Sequence, residues 1–383
     1  MNKKIFSVAS MAAIMVAGMT SCSNNEDAVS QAGGDFKKPE LMSFSASAVQ
    51  SIGTRAYAVT AANAATQITS FQVWGYDAVE NTLYMGDNAT TGRIPVYQAT
   101  GDFAGKWTTT PVQYWPVNAL NFVAVSPASY AGVTANSTAS ASGVVTLTST
   151  VAIPTDVEAQ EDLMYAEGNG VDKDTDNGNM PFSFKHALSQ IIFKGKIKTG
   201  GAITKVTIKD ITLGNVASAA SIPFTSAGQF YGGATKATAT TPVNYQLDAA
   251  DLEGSVFEVG QAGIVAGTPF DLTISENATK KNAWMLLPQA TAAATIANDK
   301  QIGGVAPATG AYLKISAKLE KDGVVILNDT DPLYLPLTIS WDRGVRYIYT
   351  IEFNGETALT PITFTQTAVD WVDADPQPGD ITM

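Results

Sequence analysis

The stretch PFSFKHALSQIIFKGKIK, residues 181–198, is a strand pattern with a break in it. Phe182, Phe184, His186 and Leu188 stand on one side, with Ser183, Lys185 and Ser189 on the other. Side chains of a strand change face at every residue. From Ile191 onward the apolar face continues on odd positions, through Phe193 and Ile197. The slip requires a bulge or a bend that re-aims the chain. Just before it lies DVEAQEDLMYAEGNGVDKDTDNGNM, residues 156–180, acidic and rich in Gly and Asn. That composition predicts a seam between two domains, with an acidic linker at 166–180 and a second domain over 181–383.

Alternation recurs along the chain. Residues 41–49, LMSFSASAV, set Met42, Phe44, Ala46 and Ala48 against Ser43, Ser45 and Ser47 and read as an amphipathic strand. Further strands are expected at 68–76, 93–98, 112–115, 120–125 and 143–148, giving a first domain over 41–165. Pro116 and Pro127 end two of them, because proline cannot donate to a ladder. In the second domain, strands are expected at 203–213 (interrupted at Lys209 and Asp210), 256–259, 270–274 and 283–287. Later ones follow at 311–319, 324–328, 333–339 and 346–353. The last of these sets Tyr347, Tyr349, Ile351 and Phe353 inward, with Arg346, Thr350 and Glu352 outward. Asn354 and Gly355 supply a turn. A final strand at 361–371 shifts its apolar phase from Ile362 and Phe364 to Val369 and Trp371. No long run has helical period, so the expected class is all-β.

Composition excludes more chemistry than any motif suggests. A chain of 383 residues exceeds what one core usually serves, which supports two domains. With 23 basic residues against 35 acidic ones and a net charge of -12, the chain lacks the basic footprint that nucleic acid requires. Only 15% of residues are charged, which suits an extracellular β-protein. One cysteine precludes an internal disulfide or a cysteine-based zinc cluster, and one histidine leaves no pair for a metal. Asp172, Asp174 and Asp176 echo a calcium loop, but Asn177 and Ser183 stand where an EF-hand places its glycine and glutamate. His186, on the apolar face of its strand, reads as a buried, hydrogen-bonded structural residue. No nucleophile elbow, phosphate loop or dinucleotide fingerprint is present, and nothing singles out a carboxylate pair. The chain therefore reads as a non-enzyme that needs no cofactor.

The N-terminus has the layout of a targeting segment. Lys3 and Lys4 precede an apolar run at 5–16, too short to span a bilayer comfortably. Met19, Thr20, Ser21 and Cys22 then match a slightly degenerate lipobox. The expectation is a signal peptide over 1–21, removed by a lipoprotein signal peptidase, with lipid on Cys22 and a flexible tether over 22–40. Acyl chains contribute about 0.8 kcal/mol per buried methylene, so several would anchor the protein firmly. The alternative is an ordinary secretory signal, but the chain's single cysteine falls at the required place.

DLMYAEG, FSFKHALSQIIFK, AWMLLPQ and WDRGVRYIYTIEF, in that order and spacing, resemble the fimbrillin family. These are type V pilins of Gram-negative gut and oral anaerobes, together with fimbrillin-like surface lipoproteins. The resemblance runs over about 54–371 and implies two transthyretin-like β-sandwich domains. It implies a structural subunit of a surface fimbria, assembled by strand exchange with copies of itself or other pilin subunits, supporting adhesion or biofilm formation. It further implies that a trypsin-like protease cuts after Arg55, the one basic residue between Lys38 and Arg93. Cleavage would remove strand 41–49 (Met42, Phe44, Ala46, Ala48) and open a sheet edge. The C-terminal strand, with Ile362, Phe364, Val369 and Trp371, is the implied donor. The acidic pair Glu26 and Asp27 resembles a surface-export signal, and reads equally well as part of a solvated tether. A monomeric surface lipoprotein that binds glycans or host proteins, and keeps strand 41–49, is the rival reading. Metabolic labelling with a clickable fatty acid is expected to tag the wild type and not Cys22→Ala; equal labelling of both would end the lipoprotein reading.

Overall fold

In the computed structural model, the residues described are 40–48, 68, 70–86, 94–98, 100–129, 135–139, 145–225, 242–273, 283–296, 305–355 and 362–370. More than half of them lie in strands. The first ten are β1 (Ser43–Ala48), β2 (Gln72–Asp77), β3 (Leu83–Met85), β4 (Val96–Gln98), β5 (Lys106–Thr108), β6 (Leu120–Ser126), β7 (Ala135–Ala139), β8 (Val145–Ala152), β9 (Met164–Val171) and β10 (Asn179–His186). Seven more follow: β11 (Ser189–Ile197), β12 (Lys205–Ala217), β13 (Ala219–Thr225), β14 (Pro242–Asp248), β15 (Val256–Glu258), β16 (Phe270–Asp271) and β17 (Trp284–Leu286). The last are β18 (Ala290–Thr291), β19 (Tyr312–Lys321), β20 (Val324–Leu327), β21 (Leu333–Pro336), β22 (Ile339–Ser340), β23 (Val345–Phe353) and β24 (Ile362–Asp370). Two short 3-10 turns, Val157–Ala159 and Thr175–Gly178, are the helical content of the described residues. The expected all-β class is what the chain adopts.

An eight-stranded sheet runs β3-β2-β6-β9-β10-β1-β5-β4. It folds over at β10, whose first part pairs with β1 and whose last two residues pair with β9. Inside the fold lies a core of Phe44, Phe71, Phe122, Phe182, Phe184, Trp107 and Trp115 with Met42 and Met180. A second core lies between two further sheets. One runs β16-β11-β23-β24 with β17 on β11, and the other β14-β12-β19-β20 with β15 and β21 alongside. Its centre holds Phe193, Trp284, Tyr245, Tyr349 and Trp341.

The two cores share a wall. Val73, Phe122, Ala124, Met164 and Ala166 face the first core. Their neighbours Trp74, Tyr76, Val123, Val125 and Tyr165 face the second. β2 and β6 are consequently buried at every residue, which is why QVWGYD and LNFVAVS read as near-continuous runs rather than clean alternations. The break in 181–198 marks the crossing between cores. Phe182 and Phe184 on β10 point into the first core, and Ile191, Phe193 and Ile197 on β11 into the second. Ala187 and Leu188, both fully buried, carry the chain across.

This corrects the expected boundary. Residues 166–180 are not a linker: they hold most of β9, at the heart of the first sheet, and the start of β10. The first sandwich therefore includes β9 and β10, and the second cannot begin at Pro181. The acidic composition misled because two of its carboxylates, Asp162 and Glu167, meet partners on β10. Lys185 pairs with Glu167, and His186 Nδ1 lies 2.7 Å from Asp162 Oδ2. β8, expected to belong to the first domain alone, pairs along its length with β13 from beyond the crossing. The described residues, from Glu40 onward, accordingly fall in one compact unit.

Smaller differences have equally local causes. The interruption expected near Lys209 and Asp210 is a bulge in β12 where its pairing with β19 shifts between Ile208 and Asp210. Residues 112–115 make only an isolated bridge, Leu41 to Tyr114, rather than a strand. Arg346, expected outward, is buried, and its Nε–H donates to Gln190 Oε1 at 2.6 Å across the parallel β11–β23 pair. That contact satisfies a guanidinium N–H that burial would otherwise leave costly. Tyr165→Ala tests the shared wall: it should destabilise the protein by about 3–5 kcal/mol, read as a shift in the denaturant midpoint. A linker residue would cost less than about 0.5 kcal/mol.

Candidate functional site

The candidate site is the place that β1 occupies. On one side β1 runs parallel to β10, with Ser43 opposite Asn179 and continuing in step to Ala48 opposite Phe184. On the other side it meets β5 antiparallel at one pair, Phe44 and Trp107. Just upstream, Met42 N–H donates to Gln113 O at 2.8 Å and Trp115 N–H to Glu40 O at 2.9 Å. β1 thus lies between two strands rather than at the sheet edge that the sequence suggested. Its removal would leave a slot with hydrogen-bonding groups on both walls.

The inward face of β1 plugs the first core. Phe44 is wholly buried and stacks on Phe182, with centroids 5.7 Å apart and planes at 14°. It meets Phe71 and Phe122 edge-on at 6.4 and 6.2 Å. Met42 is equally buried, and Ala46 packs on the same core while remaining partly exposed. The other face is polar. Ser43 Oγ donates to Asn179 Oδ1 at 3.3 Å, Asn179 Nδ2 to Ser45 Oγ at 3.1 Å, and Ser47 Oγ to the Phe182 carbonyl at 3.3 Å. β1 carries no ionisable side chain, so pairing, hydroxyl contacts and apolar burial hold it. Trp115, whose Nε1–H donates to Gly178 O at 2.8 Å, helps fix the turn that feeds β10.

The structure brings Met42, Phe44 and Ala46 together on this inner face, and places Ala48 at the end of the parallel pairing. It does not bring the expected donor residues there. Ile362, Phe364 and Val369 lie on β24, paired residue for residue with β23 from Val345–Asp370 to Phe353–Ile362. Cys22, Arg55 and Trp371 lie outside the described residues, as do the expected tether and the loop that holds Arg55. His186 is buried against Asp162, as a structural histidine should be. Asp172 turns its carboxylate to the Asp174 N–H at 3.0 Å and the Thr175 hydroxyl at 3.2 Å, a local turn cap. Sequence reading missed the walls of the slot, Asn179 and Met180 on β10 and Trp107 on β5. The motif KWT after the glycine-bearing turn at 101–105 was the available signal for β5.

The fold and this site define a class: an all-β protein with two sandwich cores, the first plugged by a strand from the N-terminal side. Comparison with known proteins narrows the class. A model of the fimbrillin-like family matches residues 54–371. The chain belongs to the fimbrillin-like family. Among solved structures, a fimbrial protein from Bacteroides vulgatus superposes with a TM-score of 0.53 at 14% identity, over 87% of this chain and 99% of that one. The C-terminally truncated tip fimbrial protein Mfa3 from Porphyromonas gingivalis is similar at 10% identity and a TM-score of 0.30, over 79% of this chain and 94% of that one. No curated protein sequence matches.

Phe44→Ala in the uncut chain should lower stability by about 3–5 kcal/mol, as for other buried aromatics. Ser45→Ala, on the half-exposed face, should cost no more than about 1 kcal/mol. Equal midpoints in denaturant for Phe44→Ala and wild type would mean that β1 does not plug the core.

Proposed function

We propose that the protein is a structural subunit of a cell-surface fimbria, a type V pilus supporting adhesion or biofilm formation. In this reading it is exported as a lipoprotein through Cys22, held at the outer membrane, cut after Arg55 by a trypsin-like protease, and assembled by strand exchange. Family membership supports the class of function. The observation that carries the mechanism is the position of β1: it closes the first core, yet it stands N-terminal to Arg55, with the rest of that core C-terminal to it.

Cleavage changes the energetics without changing a contact. In the uncut chain β1 is tethered to its slot, and a short tether gives an effective concentration in the millimolar range. Once cut, the same strand is a separate peptide, which dilutes away when it leaves. The vacated slot exposes unpaired main-chain groups of β10 and an aromatic floor around Phe182. A strand from another subunit gains main-chain hydrogen bonds from the walls and register from its alternate side chains. The lipid at Cys22 would anchor the precursor, and the cut would release the subunit for the fibre.

The test is Arg55→Ala. The variant is expected to accumulate as a lipidated monomer, whereas wild type treated with trypsin forms ladders that resist mild SDS. Normal assembly of Arg55→Ala, with residues before 55 retained in the fibre, would overturn strand release and favour the monomeric surface lipoprotein.

A further inference from the structure

Asn179 departs from the pattern of its own strand. On β10, Phe182 and Phe184 point into the first core, while Pro181 and Ser183 turn away from it and are exposed. Asn179 stands on the face of Pro181 and Ser183, yet it is only 2% exposed. Asparagine is depleted in strands, and a buried amide is costly unless its donors and acceptor are met. Two of its partners come from β1. Ser43 Oγ donates to Asn179 Oδ1 at 3.3 Å, and Asn179 Nδ2 donates to Ser45 Oγ at 3.1 Å. Opposite Ser45 stands Pro181, which has no N–H, and the donor that Ser45 meets is the Asn179 amide.

Resting on the strand-release reading above, we propose that Asn179 is a specificity-determining residue of the β1 slot. It selects strands that carry hydroxyls at two successive outward positions with an aromatic facing inward between them, as Ser43, Phe44 and Ser45 do. When β1 leaves, both of these bonds to the amide are lost. A hydroxyl donates and accepts, so serine or threonine at the two positions satisfies the carbonyl end and the amino end alike. An apolar side chain at either position leaves one end of the amide buried against carbon. The cost is then a desolvation penalty, larger than the net worth of a made bond.

The slot thus reads both faces of the strand that fills it. The rings of Phe71, Phe122 and Phe182 read the inward face, where Phe44 meets them. Asn179 reads the outward face, and it rejects as well as attracts, which is how specificity between similar strands is gained. A slip of one residue would turn Met42 and Phe44 toward the amide and the serines toward the rings. Ser47 plays no such part. Its Oγ donates to the Phe182 carbonyl, a main-chain group that is there whatever side chain β10 carries.

Residues 40–49, ELMSFSASAV, contain no lysine or arginine, so a fluorescent peptide of that sequence survives trypsin. Added in excess as the full chain is cut, it is expected to enter the slot, read as a rise in fluorescence anisotropy. The S43A/S45A peptide should bind roughly tenfold more weakly, and the S47A peptide within about threefold of the parent. Cut Asn179→Ala protein should take the parent and S43A/S45A peptides alike. The peptide comparison on wild-type protein decides the matter even if that variant does not fold. Equal binding of parent and S43A/S45A peptides by wild type would overturn the role of Asn179 and leave strand release standing. An undiminished preference in Asn179→Ala would do the same. No uptake of any peptide by cut wild type would overturn both.

Discussion

β2, β6 and the start of β9 are buried on both faces, and that double burial is the constraint on which the rest depends. A sheet normally covers one face with a core and turns the other to water. Here Val73, Phe122 and Ala166 serve one core while Trp74, Val123 and Tyr165 serve the other. Each buried side chain of this kind contributes about 1.5–3 kcal/mol relative to exposure. Neither sandwich can then lose this wall without losing much of its own core. The pairing of β8 with β13 adds a second tie across the same division. One compact unit results where length and composition suggested two separable domains.

The first core is strongly aromatic, and Phe44 of β1 sits among its rings. Phe44 meets three other rings, one stacked and two edge-on. Such pairs add about 0.5–1.5 kcal/mol beyond area burial and demand a defined ring position. The floor formed by Phe71, Phe122 and Phe182 therefore holds Phe44 at one point along β1 and disfavours slipped registers. A two-residue slip would put Met42 or Ala46 over the floor in place of the ring. The second core's last strand, β24, pairs with β23 over the whole length but ends the path of its sheet among the described residues. The chain thus pairs a two-walled slot near its start with a one-sided strand near its end.

The class of fold was legible because strand periodicity is local. Alternation in 41–49, 120–125, 311–319 and 346–353 needs only side-chain polarity to be seen, and strands stand at each. The break in 181–198 was also visible, and its meaning was right in kind: the chain is re-aimed there, between β10 and β11. The inner face of β1 was readable for the same reason, since Met42, Phe44 and Ala46 recur at period two.

Which strands share a sheet was not legible, because pairing joins residues far apart in the chain. β1 meets β10 across more than a hundred residues, as the Ser43–Asn179 contact records with a separation of 136. No periodicity within either strand encodes the other. The acidic run before Met180 looked solvated because sequence displays charges and hides their partners, here Lys185 for Glu167 and His186 for Asp162. Arg346 looked outward for the same reason, its partner Gln190 lying on a different strand. The sequence by itself determined most of the longer strands, the inward face of β1 and the bend between β10 and β11. Tertiary structure decided that β1 lies between two walls and that three strands serve two cores, because burial on a second face depends on what else in the chain arrives to cover it.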